Sequence, residues 1–159
     1  MSQFEFDEQL FWSRVAKGDI CWEWQGNIQP KGYGMTSAIF EGKRRMVLAH
    51  RAAWFLAHGA IEHGIQIDHT CFNRACVRVD HLRLATAKQN NENRSGPQKN
   101  NRVGIRGVSK RGDRWRARVV HNSTYYNIGY YDSAVDAEAA VIAKRNELFT
   151  HNNLDRAAA

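Results

Sequence analysis

The residue types that bind metals and transfer protons are concentrated in one short stretch of the chain. The 23 residues from Asp68 to Asn90 hold, in order, His69, Cys71, Cys76, His81 and Asn90. Thiolates and imidazoles at short loop spacings are typical of tetrahedral zinc sites, and Cys21 upstream adds a fourth soft ligand. The side-chain oxygen of Asn90 suits a hydrated cation such as magnesium. The stretch therefore predicts metal-assisted hydrolysis.

The composition predicts a folded protein with no membrane partner. The 159 residues suffice for one ordinary domain or two small ones, and 43% of them are hydrophobic. No apolar run approaches the length of a membrane span, and the N-terminal residues lack a signal-peptide pattern. The odd count of three cysteines fits metal ligation better than a disulfide framework. We therefore expect a cytoplasmic protein with reduced thiols.

The positive charge of the chain is concentrated in its C-terminal part. Residues 1–94 carry 12 basic and 10 acidic side chains, whereas residues 95–159 carry 11 and 6. Most of this excess comes from Lys99, Arg102, Arg106, Lys110, Arg111, Arg114, Arg116 and Arg118. Neutralising phosphates and releasing their counterions dominates nucleic-acid affinity, so a basic block of this kind favours a polyanionic partner.

A polar segment divides the chain into two predicted domains. Residues 95–102 are rich in polar and turn-forming residues and contain no large apolar side chain before Arg102, which predicts a linker. A surface loop within one domain is the alternative. The predicted limits are a first domain at residues 1–94, the linker at 95–102, a second domain at 103–150 and a tail at 151–159.

The first domain is predicted to be an α+β unit. Apolar residues within 4–17 recur at helical spacing, and Gly18 would end that helix. The stretch 21–48 is strand-like and punctuated by glycines, with a hairpin turn at residues 41–43. Further helices are expected at residues 50–58 and 87–94, with a brief strand at residues 65–67.

The second domain is predicted to be a small three-stranded antiparallel sheet with one helix. Residues 114–119 alternate strictly, so their three arginines share one face of a strand and their apolar residues share the other. Residues 125–131 form another strand. Ser133 with Asp136 predicts the capped start of a helix, whose apolar stripe would pack on the sheet.

The metal-binding stretch and its flanks resemble a group of nucleases. The spacing described above, together with Cys21-Trp22-Glu23-Trp24-Gln25-Gly26, Gly32-Tyr33-Gly34 and His50-Arg51, is similar to the His-Cys box homing endonucleases. These belong to the wider HNH, ββα-metal or His-Me finger, group. The resemblance covers about residues 20–94. It implies a ββα-metal nuclease lobe with a structural zinc.

The same resemblance implies a role for each matching residue. His69 would be the general base, and Asn90 would be a ligand of a catalytic magnesium or similar divalent cation. Asp68 departs from the His-Cys box, and it is open whether it is a second cation ligand, as in many ordinary HNH enzymes, or a local cap. Arg51 would contact the scissile phosphate, with a solvated helix residue as the alternative. The implied zinc ligands are Cys21, Cys71, Cys76 and His81.

These residue types suit the cleavage of a phosphodiester bond. Neutral imidazole is a suitable base for a water molecule because its pKa lies near neutrality. A hard cation stabilises the crowded phosphorane and the leaving alkoxide. An uncharged asparagine ligand leaves room for phosphate and water in the cation's coordination shell.

The C-terminal part resembles a second known family. The runs Gly104-Ile105-Arg106-Gly107-Val108-Ser109, Trp115-Arg116-Ala117-Arg118 and Asn127-Ile128-Gly129-Tyr130-Tyr131-Asp132 are similar to the APETALA, or ethylene-response-factor, DNA-binding domain. The resemblance covers about residues 103–149 and implies a sheet that lies in the major groove. Ser109 stands where that family often has arginine, so base specificity is not carried over. The implied DNA contacts are Arg106, Lys110, Arg111, Arg114, Arg116 and Arg118.

Together the resemblances imply a metal-dependent endonuclease of phage or homing type that acts on double-stranded DNA in a bacterial host. The alternative is a non-catalytic, zinc-stabilised DNA-binding or regulatory protein. RNA binding is disfavoured because the A-form major groove is too narrow to read. The oligomeric state is open, and a homodimer is one way for single active sites to cut both strands.

Overall fold

The computed structural model describes residues 4–157, and the chain divides between Ala87 and Lys88 into two units. This division falls earlier in the chain than the predicted domain limit at residue 94. The predicted linker, residues 95–102, lies inside the second unit, as does the predicted tail. The functional limits at residues 94, 103 and 150 remain predictions beside this structural division.

The first unit is built from short strands and helices. In chain order its elements are β1 (Phe4–Glu5), α1 (Glu8–Ser13), β2 (Val15–Lys17), β3 (Trp22–Trp24), β4 (Met35–Phe40), β5 (Lys43–Leu48), α2 (Ala49–His58), β6 (Gln66–His69), a 3-10 helix (Val79–His81) and β7 (Leu82–Ala85). Strand pairs are antiparallel, in the sheets β1-β4-β5, β2-β3 and β6-β7.

The predicted hairpin turn at residues 41–43 is confirmed. It joins β4 to β5, with Glu41 and Gly42 at φ angles of 50° and 70°. Two consecutive left-handed residues suit the right-handed twist of a hairpin, which explains a glycine at this position.

The predicted N-terminal helix is shorter than its apolar spacing indicates. Helix α1 begins after Asp7, whose carboxylate accepts a hydrogen bond from the Leu10 amide at 2.9 Å, and it ends at Ser13. Val15–Lys17 leave the helix because they pair with Trp22–Trp24. Pairing with a second strand overrides the weak local helix propensity of this segment.

Helix α2 is confirmed close to its predicted limits, and it ends at His58, before Gly59 with φ 84°. Its alanine face packs against Phe11, Trp24, Ile67, Val77 and Leu82 in the core of the first unit. Small side chains on this face let the helix lie close to the strands that hold the site. Gly34 serves the same packing, since a Cβ there would lie 2.7 Å from the Trp24 ring.

The second unit is a three-stranded antiparallel sheet covered by a helix, as predicted. Helix α3 (Ala87–Glu92) leads into it, followed by β8 (Val108–Arg111), β9 (Arg114–His121), β10 (Thr124–Tyr131), α4 (Ala134–Leu148) and α5 (Asn153–Ala157). The predicted cap of α4 is confirmed, because the Ser133 hydroxyl accepts from the Asp136 amide at 3.1 Å.

The alternation of β9 is also confirmed. Ala117 and Val119 are buried and pack with Val108, Ala137 and Val141 under α4. Arg114, Arg116 and Arg118 therefore lie on the opposite face, which we call the outer face of the sheet. Along the chain, β6, β7 and α3 follow one another in the order of a ββα motif.

Candidate active site

Three thiols and one imidazole meet in the first unit. The potential ligand atoms of Cys21, Cys71, Cys76 and His81 all lie within 4.8 Å of one another. The His81 Nδ1 atom is 3.7 Å from the Cys21 sulfur and 3.6 Å from the Cys76 sulfur. The predicted set is thus brought together, and three sulfurs with one imidazole nitrogen match a tetrahedral zinc site.

Short secondary structure around the cluster brings its members together. Cys21 directly precedes β3, and the neighbouring Glu23 forms an isolated bridge with Cys76. Cys71 lies in the loop after β6, which Asn73 shapes by accepting from the Ala75 amide at 3.0 Å. His81 ends the 3-10 helix. Ligands from separate loops are therefore held by backbone pairing as well as by their spacing.

The protonation chemistry of the thiols also fits a cation. Burial raises the pKa of Cys71 to about 12, and the nearby Cys76 and Cys21 thiolates add to the increase. Burial likewise raises the pKa of Cys76. Grouped thiols of this kind ionise together only beside a compensating positive charge, which a zinc ion supplies.

The candidate base is tied directly to this cluster. His69 ends β6, is buried, and its Nε2 donates to the Cys76 carbonyl at 3.0 Å. A carbonyl can only accept, so Nε2 carries the proton and the neutral ring has its lone pair on Nδ1. Burial lowers the pKa of His69. The ring is therefore neutral at pH 7, as a general base must be.

A second histidine packs against the candidate base. The ring of His50, from α2, lies 4.6 Å from the ring of His69 between centroids, and the Tyr33 ring lies 5.5 Å from His50. Burial lowers the pKa of His50 to about 3, and the His69 and Arg51 charges contribute. Its Nδ1 atom has no hydrogen-bond partner among the described residues. No role for His50 was predicted from the sequence, in which only its position beside Arg51 singled it out.

Asp68 forms an ion pair that its spacing did not predict. Arg83 donates to the Asp68 Oδ2 atom from Nε at 2.9 Å and from Nη2 at 2.8 Å. The two residues are direct partners in the β6–β7 register, and Asp68 is only 5% exposed. The pair holds the carboxylate next to His69 in a fixed orientation. Its cation-binding role remains a prediction.

The roles of Arg51 as a phosphate contact and of Asn90 as a cation ligand also remain predictions. Arg51 is half-buried on α2 and donates from Nη1 to the Ile65 carbonyl at 3.2 Å. Burial lowers its pKa. Asn90 is half-buried on α3, in the second unit.

The outer face of the sheet combines arginines with exposed aromatic rings. Across the β9–β10 pairing, Arg118 lies opposite Asn127 and Arg116 opposite Tyr130. The Arg118 guanidinium lies 5.0 Å from the centre of the Tyr125 ring. Arginine with exposed tyrosine is a combination suited to phosphates and bases.

The other predicted DNA contacts have different environments. Arg114 is exposed and pairs with Asp132 at 3.3 Å, and Arg111 is exposed at the end of β8. Lys110 lies 5.5 Å above the Trp115 ring, opposite in register to that residue and so away from the outer face. Arg106 is half-buried and donates to backbone carbonyls of residues 91, 92 and 94. As DNA contacts, all four remain predictions.

The chain is similar to a nuclease family and to several phage proteins. Residues 47–92 match the family described as HNH endonuclease. The chain is 38% identical to Protein 7.7 of Escherichia phage T7 over 45% of this chain and 52% of that protein. It is 36% identical to Protein 2.8 of the same phage over 44% and 45%. It is 34% identical to the phage's Protein 3.8 over 62% of this chain and 82% of that protein.

The chain spans about half the length of the first two of these relatives. No solved structure matches it significantly. Among the described residues, no helix has the length and apolar character needed to cross a membrane.

Proposed function

This chain belongs to the phage protein family that includes Protein 3.8 of Escherichia phage T7, and from its HNH endonuclease match we propose that it is a metal-dependent DNA endonuclease. It hydrolyses phosphodiester bonds of double-stranded DNA. As a phage protein or a homing-type enzyme, it acts in the cytoplasm of a bacterial host. The observation that carries the proposal is the hydrogen bond from His69 to the backbone carbonyl of Cys76, a member of the Cys3His cluster.

Zinc has a structural role in this proposal. Cys21, Cys71, Cys76 and His81 would hold the ion, and the main chain of Cys76 orients His69 through its carbonyl. Binding energies on the order of 10 kcal/mol for structural zinc are large beside the stability of a small unit. Bound zinc would thereby fix the loop whose Cys76 carbonyl sets the direction of the His69 imidazole.

His69 acts as the general base through Nδ1. Its Nε2–H bond to Cys76 keeps the ring in the required tautomer, and burial keeps it neutral. The ring accepts a proton from the attacking water. Arg51 contributes a positive charge toward the scissile phosphate. Both roles follow the nuclease resemblance of residues 20–94.

Asn90 and Asp68 are the proposed ligands of the catalytic cation. They offer amide and carboxylate oxygens, the donor types that magnesium prefers, so the donor set fits. Arg83 fixes the Asp68 carboxylate from the neighbouring strand. A bound cation would stabilise the charge that develops on the phosphate and on the leaving oxygen.

The second unit is the proposed source of DNA affinity. Its three-stranded sheet and covering helix are consistent with the ethylene-response-factor resemblance, and the outer face carries Arg116 and Arg118. Arginine pairs bidentately with guanine and also binds phosphates. The exposed Tyr125 and Tyr130 add surfaces for sugar and base contacts.

A plasmid assay tests the proposed function. Purified zinc-loaded protein is incubated with supercoiled plasmid in the presence of magnesium, and separately in the same buffer without added magnesium. The proposal predicts nicked or linear product only with magnesium. DNA binding without any cleavage under both conditions would instead favour the non-catalytic regulatory alternative.

A further inference from the structure

Helix α3, which carries Asn90, is held at its C-terminal end by side chains from distant parts of the second unit. Resting on the proposed function, we propose that Arg106 and Glu92 are positioning residues that set the orientation of Asn90 for cation binding. Neither residue was assigned this role by the sequence, which placed Arg106 among the DNA contacts.

The helix needs outside support because it is short. It spans Ala87–Glu92, six residues, and helices shorter than about 12 residues are marginal in water even in favourable sequences. Its last carbonyls have no partner within a helix of this length. Without support the backbone of such a helix would not stay in place, and the position of Asn90 on it would not be fixed.

Arg106 supplies partners for those carbonyls. Its Nη1 atom donates to the Glu92 carbonyl at 3.0 Å and the Arg94 carbonyl at 3.3 Å. Its Nη2 atom donates to the Asn91 carbonyl at 3.2 Å. A cation at the C-terminal end of a helix also interacts favourably with the helix dipole. One planar guanidinium therefore closes the end of α3, directly after Asn90.

Glu92 anchors the same helix through its own side chain. It is only 4% exposed, and its Oε2 atom accepts from the Thr150 amide at 2.9 Å, the Thr150 hydroxyl at 3.2 Å and the His151 amide at 3.3 Å. The Asn93 side chain accepts from the Asn153 amide at 3.1 Å. The end of α3 is thereby tied to the segment that follows α4.

A buried ion pair fixes Arg106 in turn. Arg145 of α4 donates to the Arg106 carbonyl at 3.3 Å and pairs with Asp155 of α5 at 2.7 Å. Both side chains of this pair are almost completely buried. The hydrogen bonds thus run from α5 through α4 and Arg106 to α3. The second unit consequently contributes to the orientation of a cation ligand as well as to DNA affinity.

Substitution by lysine distinguishes a positioning role of Arg106 from a contact with DNA. A phosphate contact would tolerate lysine in place of arginine, since lysine also presents a positive charge. The closure of α3 would not, because a single ammonium cannot reproduce three directed bonds from a planar fork. Arg106→Lys and Arg106→Ala should therefore behave alike.

The first readout does not depend on activity. The Asn93 amide bonds to the Gln89 carbonyl at 3.2 Å, so its hydrogen exchange reports the closure of α3. In Arg106→Ala and Arg106→Lys we expect exchange at Asn93 to rise about tenfold, the scale of one or two lost hydrogen bonds. Amides of Val119 and Tyr126 in the sheet should exchange at the wild-type rate. Glu92→Gln, a milder change, should shift Asn93 in the same direction.

The second readout is the magnesium requirement of plasmid cleavage at saturating DNA. The magnesium concentration for half-maximal cleavage should rise about tenfold in the Arg106 variants, as expected for a displaced oxygen ligand. The matched control is Lys144→Ala on α4, a cation that pairs with Glu147 and has no role in either proposed site, which should leave the magnesium requirement unchanged.

Distinct results contradict the inference and the proposed function. Arg106 variants with wild-type exchange at Asn93 and a wild-type magnesium requirement would overturn the positioning role. If Arg106→Ala does not fold, the same two readouts in Glu92→Gln decide the question. Wild-type protein that does not cut DNA would refute the proposed function, while exchange at Asn93 would still show whether Arg106 closes α3. Asn90→Ala that cuts normally would leave the endonuclease proposal standing and would overturn the role of Arg106 in cation binding.

Discussion

At the scale of single residues, the proposed chemistry depends on how the His69 imidazole is held. His69 donates to the Cys76 carbonyl, and Cys76 also contributes a sulfur to the metal cluster. In the proposed site, one residue would therefore take part in zinc binding and in orienting the base. The sequence predicted both residues but not their hydrogen bond, because spacing along the chain does not determine which carbonyl an imidazole contacts.

Side chains that meet across strands were missed for a related reason. Arg83 lies opposite Asp68 only in one register of the β6–β7 pair. A shift of the register by one residue would turn Arg83 to the other face, and the sequence alone does not determine the register. The sequence likewise shows that residue 50 is a histidine, but not that it contacts His69, because that contact depends on how α2 packs.

His50 leads to a prediction about acid stability. Its pKa is about 3 in the folded protein and 6.5 as the ordinary value, so the unfolded chain binds a proton more readily. The stability that comes from keeping this ring neutral is complete above pH 6.5 and is lost as pH falls toward 3. Between about pH 7 and about pH 5, the free energy of unfolding should fall by about 2 kcal/mol from this group.

The measurement is urea unfolding of wild-type protein and His50→Gln at both pH values, with zinc present in excess. Glutamine does not titrate, so the variant should show a weaker dependence on pH by about that amount. The same pH dependence in both proteins would mean that His50 is not held neutral by burial.

At the scale of elements, the metal cluster illustrates what local sequence can predict. Cys71, Cys76 and His81 lie within one loop and a 3-10 helix, so their spacing alone indicated a common site. Cys21 is distant in sequence and directly precedes β3. The bridge between Glu23 of β3 and Cys76 brings it to the other three residues. Short-range ligands and hairpins were predictable because their contacts are local.

The contacts of α3 were not predictable in this way. Residues 150 and 151, which bind Glu92, are separated from it by 58 and 59 positions. No pattern of polar residues in the segment 149–153 indicates that it contacts a helix near residue 90. The same is true of the strand over Val15–Lys17, which local apolar spacing assigned to a helix.

Zinc removal should affect the first unit through this cluster. His81→Ala removes one of four ligands, and we expect bound zinc to fall well below about one ion per chain together with a large loss of thermal stability. The measurement is metal content by atomic absorption, alongside thermal unfolding. The matched control is His63→Ala, an exposed histidine outside the cluster, which should keep both properties. A stable, fully zinc-loaded His81→Ala protein would contradict the ligand set.

At the scale of the whole molecule, the placement of charge accounts for the proposed partner. The chain has a net charge of +7, and most of it comes from residues 95–159, which carry 11 basic and 6 acidic side chains. The structure shows that this excess is not spread evenly, since Arg116 and Arg118 share the outer face while Arg106 and Arg145 are used within the second unit. Composition predicted a basic domain, but not which of its cations contact the protein itself.

The salt dependence of DNA binding tests this placement. Arg118→Ala should weaken binding and reduce the slope of log K against log salt by about 1, the amount expected for one phosphate contact. Lys144→Ala on α4 removes the same charge from a residue that pairs with Glu147, and its slope should stay near wild type. Binding titrations at several salt concentrations provide the comparison. Equal slopes in the two variants would show that the outer face does not contact DNA.

The central claim is that a zinc-braced loop directs His69 as the base of a DNA endonuclease. The most direct measurement is plasmid cleavage in magnesium by wild-type protein and His69→Ala, with zinc content and DNA affinity measured on the same preparations. The account predicts that His69→Ala keeps its zinc and its DNA affinity while cleavage falls by about 10²- to 10⁴-fold, the usual contribution of a general base. A His69→Ala protein that cleaves at the wild-type rate would contradict it.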